Sequence, residues 1–255
     1  MPFYCRTAAG HAERVIFIGL TRSGKTVLMQ SLLAGQESVV IIDTKHKGDE
    51  WGPFAERWGY VITSDPAQLR RHPRVLFRAD IAAVEDRKNW ATPGRLGYEG
   101  WTQVLRAIRW RGNTIVDFDE GADTLPHQGV HPDARRMATS DAAHGTSLWL
   151  GSQSPDHLDT RILANAEHCF AFALQNQEYL EVIRRRRGLD PSPLTELGPY
   201  EFAYHRQGAN EWELYEPVTP MNLRTVRAPL NSETPPPEVH DVRLTEPELS
   251  PIDTA

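Results

Sequence analysis

The feature that most constrains the fold of this chain is the octapeptide Gly19–Thr26, Gly-Leu-Thr-Arg-Ser-Gly-Lys-Thr. It matches the pattern G-x4-G-K-[ST], in which glycines let the backbone curl so that consecutive N–H groups point inward and bind phosphate. An apolar run, Val15–Ile18, predicts a buried strand before the loop, and a helical pattern follows over residues 25–34. The sequence therefore predicts a strand–loop–helix unit that binds nucleotide phosphates, formed by Gly19, Leu20, Thr21, Arg22, Ser23, Gly24, Lys25 and Thr26.

Two acidic residues supply the groups that hydrolysis beside such a loop requires. Asp119 and Glu120 end a largely apolar run that begins at Thr114, although Asp117 interrupts this run. We expect Lys25 to reach the β- and γ-phosphates of ATP, the Thr26 hydroxyl to bind Mg²⁺, and Asp119 to hold Mg²⁺ through water. We expect Glu120 to polarise the attacking water, which favours ATP hydrolysis over transfer of phosphate to a small hydroxyl compound.

A third candidate for the site is Gln153, which ends the next apolar run, Leu148–Ser152. It follows the acidic pair by one predicted strand, where a polar side chain could sense the γ-phosphate of ATP. A polar residue that simply ends a strand remains the alternative interpretation.

Predicted strands and helices alternate along most of the chain, and most of the strands are continuous apolar runs. This pattern is typical of an α/β protein with a mainly parallel sheet covered on both faces. Residues 201–205 and 211–215 are expected to form a closing hairpin, because turn residues separate them. We expect one P-loop ATPase domain over residues 1–216 and an extended tail over residues 217–255. The tail is rich in proline, and residues 229–255 hold six acidic residues and one arginine.

Composition limits the class of protein. Apolar residues make up 40% of the 255 residues and charged residues 24%, as in ordinary soluble globular proteins. No apolar run approaches the roughly 20 residues that span a bilayer, and residues 1–13 lack the apolar core of a signal peptide. The two cysteines are too few for a disulfide framework. A cytoplasmic location is therefore expected.

Several segments in order resemble the FtsK–HerA superfamily of DNA-pumping ATPases. They are the octapeptide, the run Val39–Ile42 followed by Asp43-Thr44-Lys45, the pair Asp119-Glu120, the turn Ser152–Pro155 and the segment Asp159–Ala166. The resemblance covers residues 14–205 and implies a RecA/ASCE-like P-loop fold with ATP and Mg²⁺ as ligands. Because the chain is short, it looks most like the single-domain ATPases that package viral genomes.

The resemblance also implies partners. A packaging ATPase would form a homo-oligomeric ring of five or six chains, act on double-stranded DNA, and contact a capsid or portal vertex protein in the host cytoplasm or at the virion vertex. An arginine would reach the ATP of the neighbouring subunit. Where relatives often place this arginine, three residues before Gly145, this chain has Ala142, so Arg135, Arg136 and Arg161 are the candidates.

Other interpretations stay open at this stage. The loop could serve a small-molecule or nucleoside kinase, a conjugation or chromosome-type DNA pump, or a P-loop scaffold protein that does not hydrolyse ATP. Two arginine clusters could contact DNA phosphates, Arg184–Arg187 and the set Arg106, Arg109 and Arg111. The helix dipole favours positive charge at a helix C-terminus whatever the function, and this is the favoured explanation of Arg184–Arg187. An ordinary solvated helix face explains Arg106 and Arg109 as well as DNA contact does.

Overall fold

Nine strands form one sheet in the computed structural model, which describes residues 12–43, 50–78, 98–121, 131–139 and 145–218. The strand order is β3-β4-β2-β5-β6-β1-β7-β8-β9. The first seven strands in this order run parallel to their neighbours, and β8 and β9 add an antiparallel hairpin. The strands are β1 Arg14–Ile18, β2 Val39–Asp43, β3 Val61–Thr63, β4 Arg74–Arg78, β5 Thr114–Phe118, β6 Thr146–Ser152, β7 His168–Phe172, β8 Phe202–Arg206 and β9 Glu213–Tyr215. The predicted α/β fold, mainly parallel sheet and C-terminal hairpin are therefore confirmed.

The central strands are buried on both faces, which is why they are continuous apolar runs. In β1, Ile16 and Ile18 pack into the core on one face, and Val15 and Phe17 pack into the core on the other. The same alternation holds in β2, where successive side chains point to opposite faces. Each face therefore needs a cover of helices.

Seven α-helices lie in the described residues: α1 Lys25–Leu33, α2 Gly52–Arg57, α3 Tyr98–Arg111, α4 Pro132–Thr139, α5 Thr160–Asn165, α6 Gln177–Arg187 and α7 Pro193–Glu196. Short 3₁₀ helices occur at Pro66–Arg70 and Pro155–His157. Helices α1 and α2 contribute side chains such as Leu28 and Phe54 to one core. Helices α3 to α7 contribute to the opposite core. None of these helices is long and apolar enough to cross a membrane.

Local departures from the sequence prediction have local causes. The sequence pattern predicts one helix over residues 156–166, but a 3₁₀ turn is followed by the separate helix α5. The break occurs at Asp159, whose side chain accepts a hydrogen bond from the Arg161 N–H and caps α5. Helices α2 and α7 were not predicted, since they span only 6 and 4 residues. Residues 140–143 of the predicted helix that corresponds to α4, and tail residues 219–255, lie outside the described residues.

The strand order brings three carboxyl ends together. The chain passes from β1 through α1 to β2, and β5 and β6 then fill the positions between them. Because parallel strands end at the same edge of a sheet, the segments that follow β1, β5 and β6 lie side by side. This edge is where the sequence placed the phosphate loop, the acidic pair and Gln153.

One buried carboxylate, Asp133 in α4, is surrounded by arginines. Its oxygens lie 3.4 Å from Arg106 Nε, 3.2 Å from Arg109 Nη1 and 3.8 Å from Arg136 Nη1. Asp133 is buried, whereas Arg106 and Arg136 are largely exposed. These ion pairs join α3 to α4, so these arginines have a structural partner whatever else they contact.

A second buried carboxylate, Asp117 in β5, has no such partner in the part of the chain that the structure describes. It is fully buried between Ile41 of β2 and Trp149 of β6, and neither of its oxygens has a hydrogen-bond partner among the described residues. Burial raises the pKa of Asp117 well above its usual range, and the neighbouring charge of Asp119 raises it further. The carboxyl group of Asp117 is therefore expected to stay protonated in the folded protein at pH values at which it is ionised in the unfolded chain.

We expect Asp117→Asn to stabilise the protein at pH 7. Above the unfolded pKa of about 3.9, ionisation favours the unfolded chain, whereas the folded protein keeps the neutral form. The neutral amide of asparagine does not ionise and so removes this destabilisation. The gain in unfolding free energy should therefore become smaller as the pH falls toward 4. Urea denaturation at several pH values measures the gain, and an equal gain at all pH values would contradict the explanation. As a control, Asp133→Asn should lower stability by about 1–3 kcal/mol, because it removes charge-assisted contacts.

Candidate nucleotide-binding site

The loop from Gly19 to Thr26 connects β1 to α1, as predicted. Arg22 and Gly24 adopt left-handed backbone conformations, with φ of 64° and 106°. Alternation of right- and left-handed residues turns successive N–H groups toward one side and makes a concave site for anions. Leu20, Thr21 and Arg22 are exposed, so the outer part of the loop is open to solvent.

Phe172, the last residue of β7, explains why the loop needs both of its glycines. A Cβ atom at Gly19 would lie 2.8 Å from Phe172 Cβ, and one at Gly24 would lie 3.2 Å from Phe172 Cε1. The Cβ at Gly19 would also lie 2.7 Å from Ser23 Oγ. That hydroxyl is buried and has no hydrogen-bond partner among the described residues, so it is a donor that a bound phosphate could use.

Lys25 places its positive charge within the curl of the loop. Its Nζ donates hydrogen bonds to the carbonyl oxygens of Gly19, at 2.5 Å, and Leu20, at 3.0 Å. The side chain is buried. Inward N–H groups, the Ser23 hydroxyl and this ammonium group together suit a polyphosphate.

A possible metal site lies between the start of α1 and the end of β5. Thr26 Oγ1 and Asp119 Oδ1 are 3.5 Å apart, although 93 residues separate them in the chain. Hydroxyl and carboxylate oxygens are the hard ligands that Mg²⁺ prefers, so the pair suits a metal held directly by Thr26 and through water by Asp119. Gly151 lets the backbone of β6 lie close to Asp119, because a Cβ there would lie 2.4 Å from the Asp119 carbonyl oxygen.

Glu120 is held by a chain of side-chain hydrogen bonds. Gln153 Nε2 donates to Glu120 Oε2 at 3.2 Å, and Thr21 Oγ1 donates to Gln153 Oε1 at 2.9 Å. The three residues follow β5, β6 and β1, which are neighbours in the sheet. Gln153 therefore lies between the phosphate loop and the acidic pair, where the sequence prediction placed a sensor.

The turn that carries Gln153 is itself anchored on two sides. The Ser152 carbonyl oxygen accepts a hydrogen bond from Gly19 N at 3.1 Å, which ties the turn to the phosphate loop. Ser152 Oγ donates to the Ser154 carbonyl oxygen, and Ser154 Oγ donates to Tyr179 Oη of α6 at 2.5 Å. The sequence analysis assigned no role to Tyr179 or to the Thr21 hydroxyl in this network. No local pattern reveals such contacts, since Thr21 and Gln153 are 132 residues apart.

The three arginines considered as trans-acting groups lie on helices away from this chain of contacts. Arg135 and Arg136 are exposed on α4, and Arg136 faces Asp133. Arg161 is exposed in the first turn of α5. Which of them serves a neighbouring subunit stays a prediction.

The arginine clusters considered for DNA contact divide into structural and exposed members. Arg111 donates to backbone carbonyls around the 3₁₀ helix, including His72 O at 2.6 Å and Pro73 O at 2.6 Å. Arg187 donates to the carbonyl oxygens of Leu163 and Ala166 near the end of α5. These two arginines therefore support the fold.

The remaining arginines of α6 are exposed. Arg184 pairs with Glu181 at 2.9 Å, whereas Arg185 and Arg186 lie on the surface.

Asp43, from the segment used for the resemblance, ends β2 and lies 3.5 Å from Arg78 Nε. Lys45 lies outside the described residues.

Comparison with known proteins gives the fold. No protein-family model matches the chain, and no curated protein matches it in sequence. The structure is similar to the genome packaging NTPase B204 from Sulfolobus turreted icosahedral virus 2 in complex with AMP, with a TM-score of 0.67 and 17% identity over 82% of this chain and 98% of that chain. It is also similar to B204, the DNA-packaging ATPase from Sulfolobus turreted icosahedral virus, with a TM-score of 0.62 and 18% identity over 81% and 98% of the two chains.

These likenesses extend over about four fifths of this chain. They agree with the resemblance to genome-packaging ATPases that the motifs predicted. At this identity the comparison establishes the architecture. The chain has the P-loop NTPase fold of the viral genome-packaging NTPases.

Proposed function

We propose that the protein is an ATPase whose site is the phosphate loop together with Asp119, Glu120 and Gln153. The observation that carries the proposal is the convergence of three strand ends on one site. Thr26 lies 3.5 Å from Asp119, and Glu120 is hydrogen-bonded to Gln153 beside the loop. Related solved structures contain AMP or AMPPCP, which supports a nucleotide as the ligand of this fold.

Each residue has a defined task in this proposal. The loop N–H groups and Lys25 bind the phosphates, and Thr26 and Asp119 hold Mg²⁺, which when bound neutralises charge on the phosphate oxygens. Glu120 orients a water molecule and accepts its proton, and Gln153 holds the Glu120 carboxylate in place. A carboxylate positioned for water is the feature that favours hydrolysis over phosphate transfer to another hydroxyl.

We further propose that hydrolysis drives the translocation of double-stranded DNA during packaging of a viral genome. The support is the similarity to genome-packaging NTPases over about four fifths of the chain, together with the ordered motifs of the FtsK–HerA superfamily. In such a motor several copies of the chain would form a ring. Arg135, Arg136 or Arg161 of one subunit would supply a positive charge to the ATP site of its neighbour. Arg185 and Arg186 are the exposed members of the α6 arginine run and are the candidates there for contact with DNA phosphates.

We expect Lys25→Ala and Glu120→Gln to remove ATP turnover for different reasons. Loss of Lys25 should weaken nucleotide binding and turnover together, because the cation contacts phosphate. Loss of the Glu120 carboxylate should lower kcat by about 100-fold or more while nucleotide binding remains, because a general base contributes about 10²–10⁴-fold. Glu56→Gln, on the exposed surface of α2, is the matched control. Turnover at the wild-type rate in both site variants would rule out this site.

The hydrogen-bond chain predicts a specific pattern of coupled effects. Gln153→Ala should lower kcat by about 10-fold or more, and Thr21→Val should lower it less, whereas Thr21→Ser retains the hydroxyl and should behave as wild type. Because Thr21 acts through Gln153, the double variant Thr21→Val with Gln153→Ala should be no slower than Gln153→Ala alone. Steady-state ATPase rates measure this. Fully additive losses would show that the two side chains act independently.

The motor proposal predicts DNA-dependent turnover and a ring in solution. Duplex DNA should raise the ATPase rate, and the effect should weaken steeply as salt increases, because phosphate contacts release counterions. Light scattering in the presence of ATP should give the mass of five or six chains. A monomeric protein whose ATPase rate does not change with DNA would contradict the motor proposal. Phosphate transfer to a small hydroxyl compound would instead favour a kinase.

A further inference from the structure

Tyr200, in the turn before β8, lies beside the phosphate loop in an unusual conformation. Its backbone φ is 65°, in the left-handed region, and the residue is 49% exposed to solvent. A Cβ atom built on Gly24 would lie 3.3 Å from Tyr200 Cδ1, so the tyrosine ring borders the glycine that precedes Lys25. No sequence pattern predicts a role for this residue.

The conformation of Tyr200 needs an explanation. Among the described residues, only Arg22, Asn113 and Tyr200 have positive φ without being glycine. Asparagine tolerates this region, and Arg22 belongs to the phosphate loop, but a bulky aromatic residue is strained there. Such strain persists where the surroundings impose it, and it concentrates at binding and catalytic sites.

The turn around Tyr200 is fastened by its neighbours. The Glu201 side chain accepts a hydrogen bond from Gly198 N at 2.7 Å, and Glu201 N donates to the Gly198 carbonyl oxygen at 3.2 Å. The Tyr200 carbonyl oxygen accepts from Val218 N at 3.0 Å. The backbone is thus fixed on both sides of the ring, although about half of the residue remains in solvent. Burial in the core therefore does not account for the position of the ring.

The strand order gives the direction in which a bound nucleotide must extend. Glu120 and Gln153 lie on the side of β5 and β6, so the γ-phosphate of a hydrolysed nucleotide must face that side of the loop. The other end of the molecule, with its ribose and base, must leave the loop on the opposite side, toward β7 and β8. Tyr200 lies there, at the start of β8 and next to Gly24.

We propose that the Tyr200 ring is the surface on which the nucleotide base stacks, an inference that rests on the proposed nucleotide binding. An exposed aromatic ring on a fastened backbone suits a flat heterocycle, and stacking tolerates every base because each has a π-face. The site should therefore favour nucleotides over bare polyphosphate without selecting adenine by stacking alone.

The test compares a ligand that has a base with one that lacks it. Binding of ATP and of inorganic tripolyphosphate, both with Mg²⁺, is measured by titration calorimetry for the full chain and its variants. Tyr200→Gly removes the ring and allows the left-handed backbone, and it should weaken ATP binding about 10-fold without changing tripolyphosphate binding. Tyr200→Asn, which also tolerates positive φ, should behave in the same way, whereas Tyr200→Phe should bind both ligands as wild type does.

An exposed aromatic residue elsewhere supplies the control. Trp110 in α3 is 77% exposed and lies beside the Arg70 guanidinium, and Trp110→Ala should leave both affinities unchanged. Unchanged ATP binding in Tyr200→Gly and Tyr200→Asn would overturn the stacking proposal, as would an equal loss of both ligands, which would indicate support of the loop alone. Failure of the wild-type protein to bind either ligand would instead overturn the proposed ATPase function.

Discussion

The position of β6 between β1 and β5 is the constraint on which the candidate site depends. Parallel strands end at one edge, so this order places Gln153 between the phosphate loop and the acidic pair. Gly151 then lets β6 approach the Asp119 backbone more closely than any side chain would allow. The consequence is a hydrogen-bonded line from Thr21 through Gln153 to Glu120, built from segments that are distant in the chain.

The same chain of hydrogen bonds connects the candidate site to a helix on one face of the sheet. The turn that carries Gln153 is bonded to Gly19 on one side and, through Ser154, to Tyr179 of α6 on the other. These contacts join the phosphate loop to α6, whose last turn exposes Arg185 and Arg186. In the proposed motor, a connection of this kind would join the site of hydrolysis to a charged outer surface.

Elements with a local sequence pattern were predicted correctly, whereas contacts between segments far apart in the chain were not predictable. The run Gln177–Arg187 has a helical pattern ended by Gly188, and it is a helix over those residues. The role of Arg187 was not predictable, because a cluster of arginines at a helix end looks the same whether it faces solvent or, like Arg187, donates to the carbonyls of α5. Tyr200 gave no signal at all, since backbone strain and proximity to Gly24 exist only in the folded chain.

The antiparallel hairpin is part of the phosphate site's support. Phe172 packs beneath the loop glycines and contacts the Phe202 ring of β8, with ring centroids 5.8 Å apart, and Phe202 stacks on Tyr215 of β9 at 5.0 Å. Aromatic rings thus connect the last two strands to the loop, and the turn into β8 carries Tyr200 to the loop's open side. Because the acidic edge and the hairpin lie on opposite sides of β1, the sheet itself sets the two ends between which a nucleotide would extend.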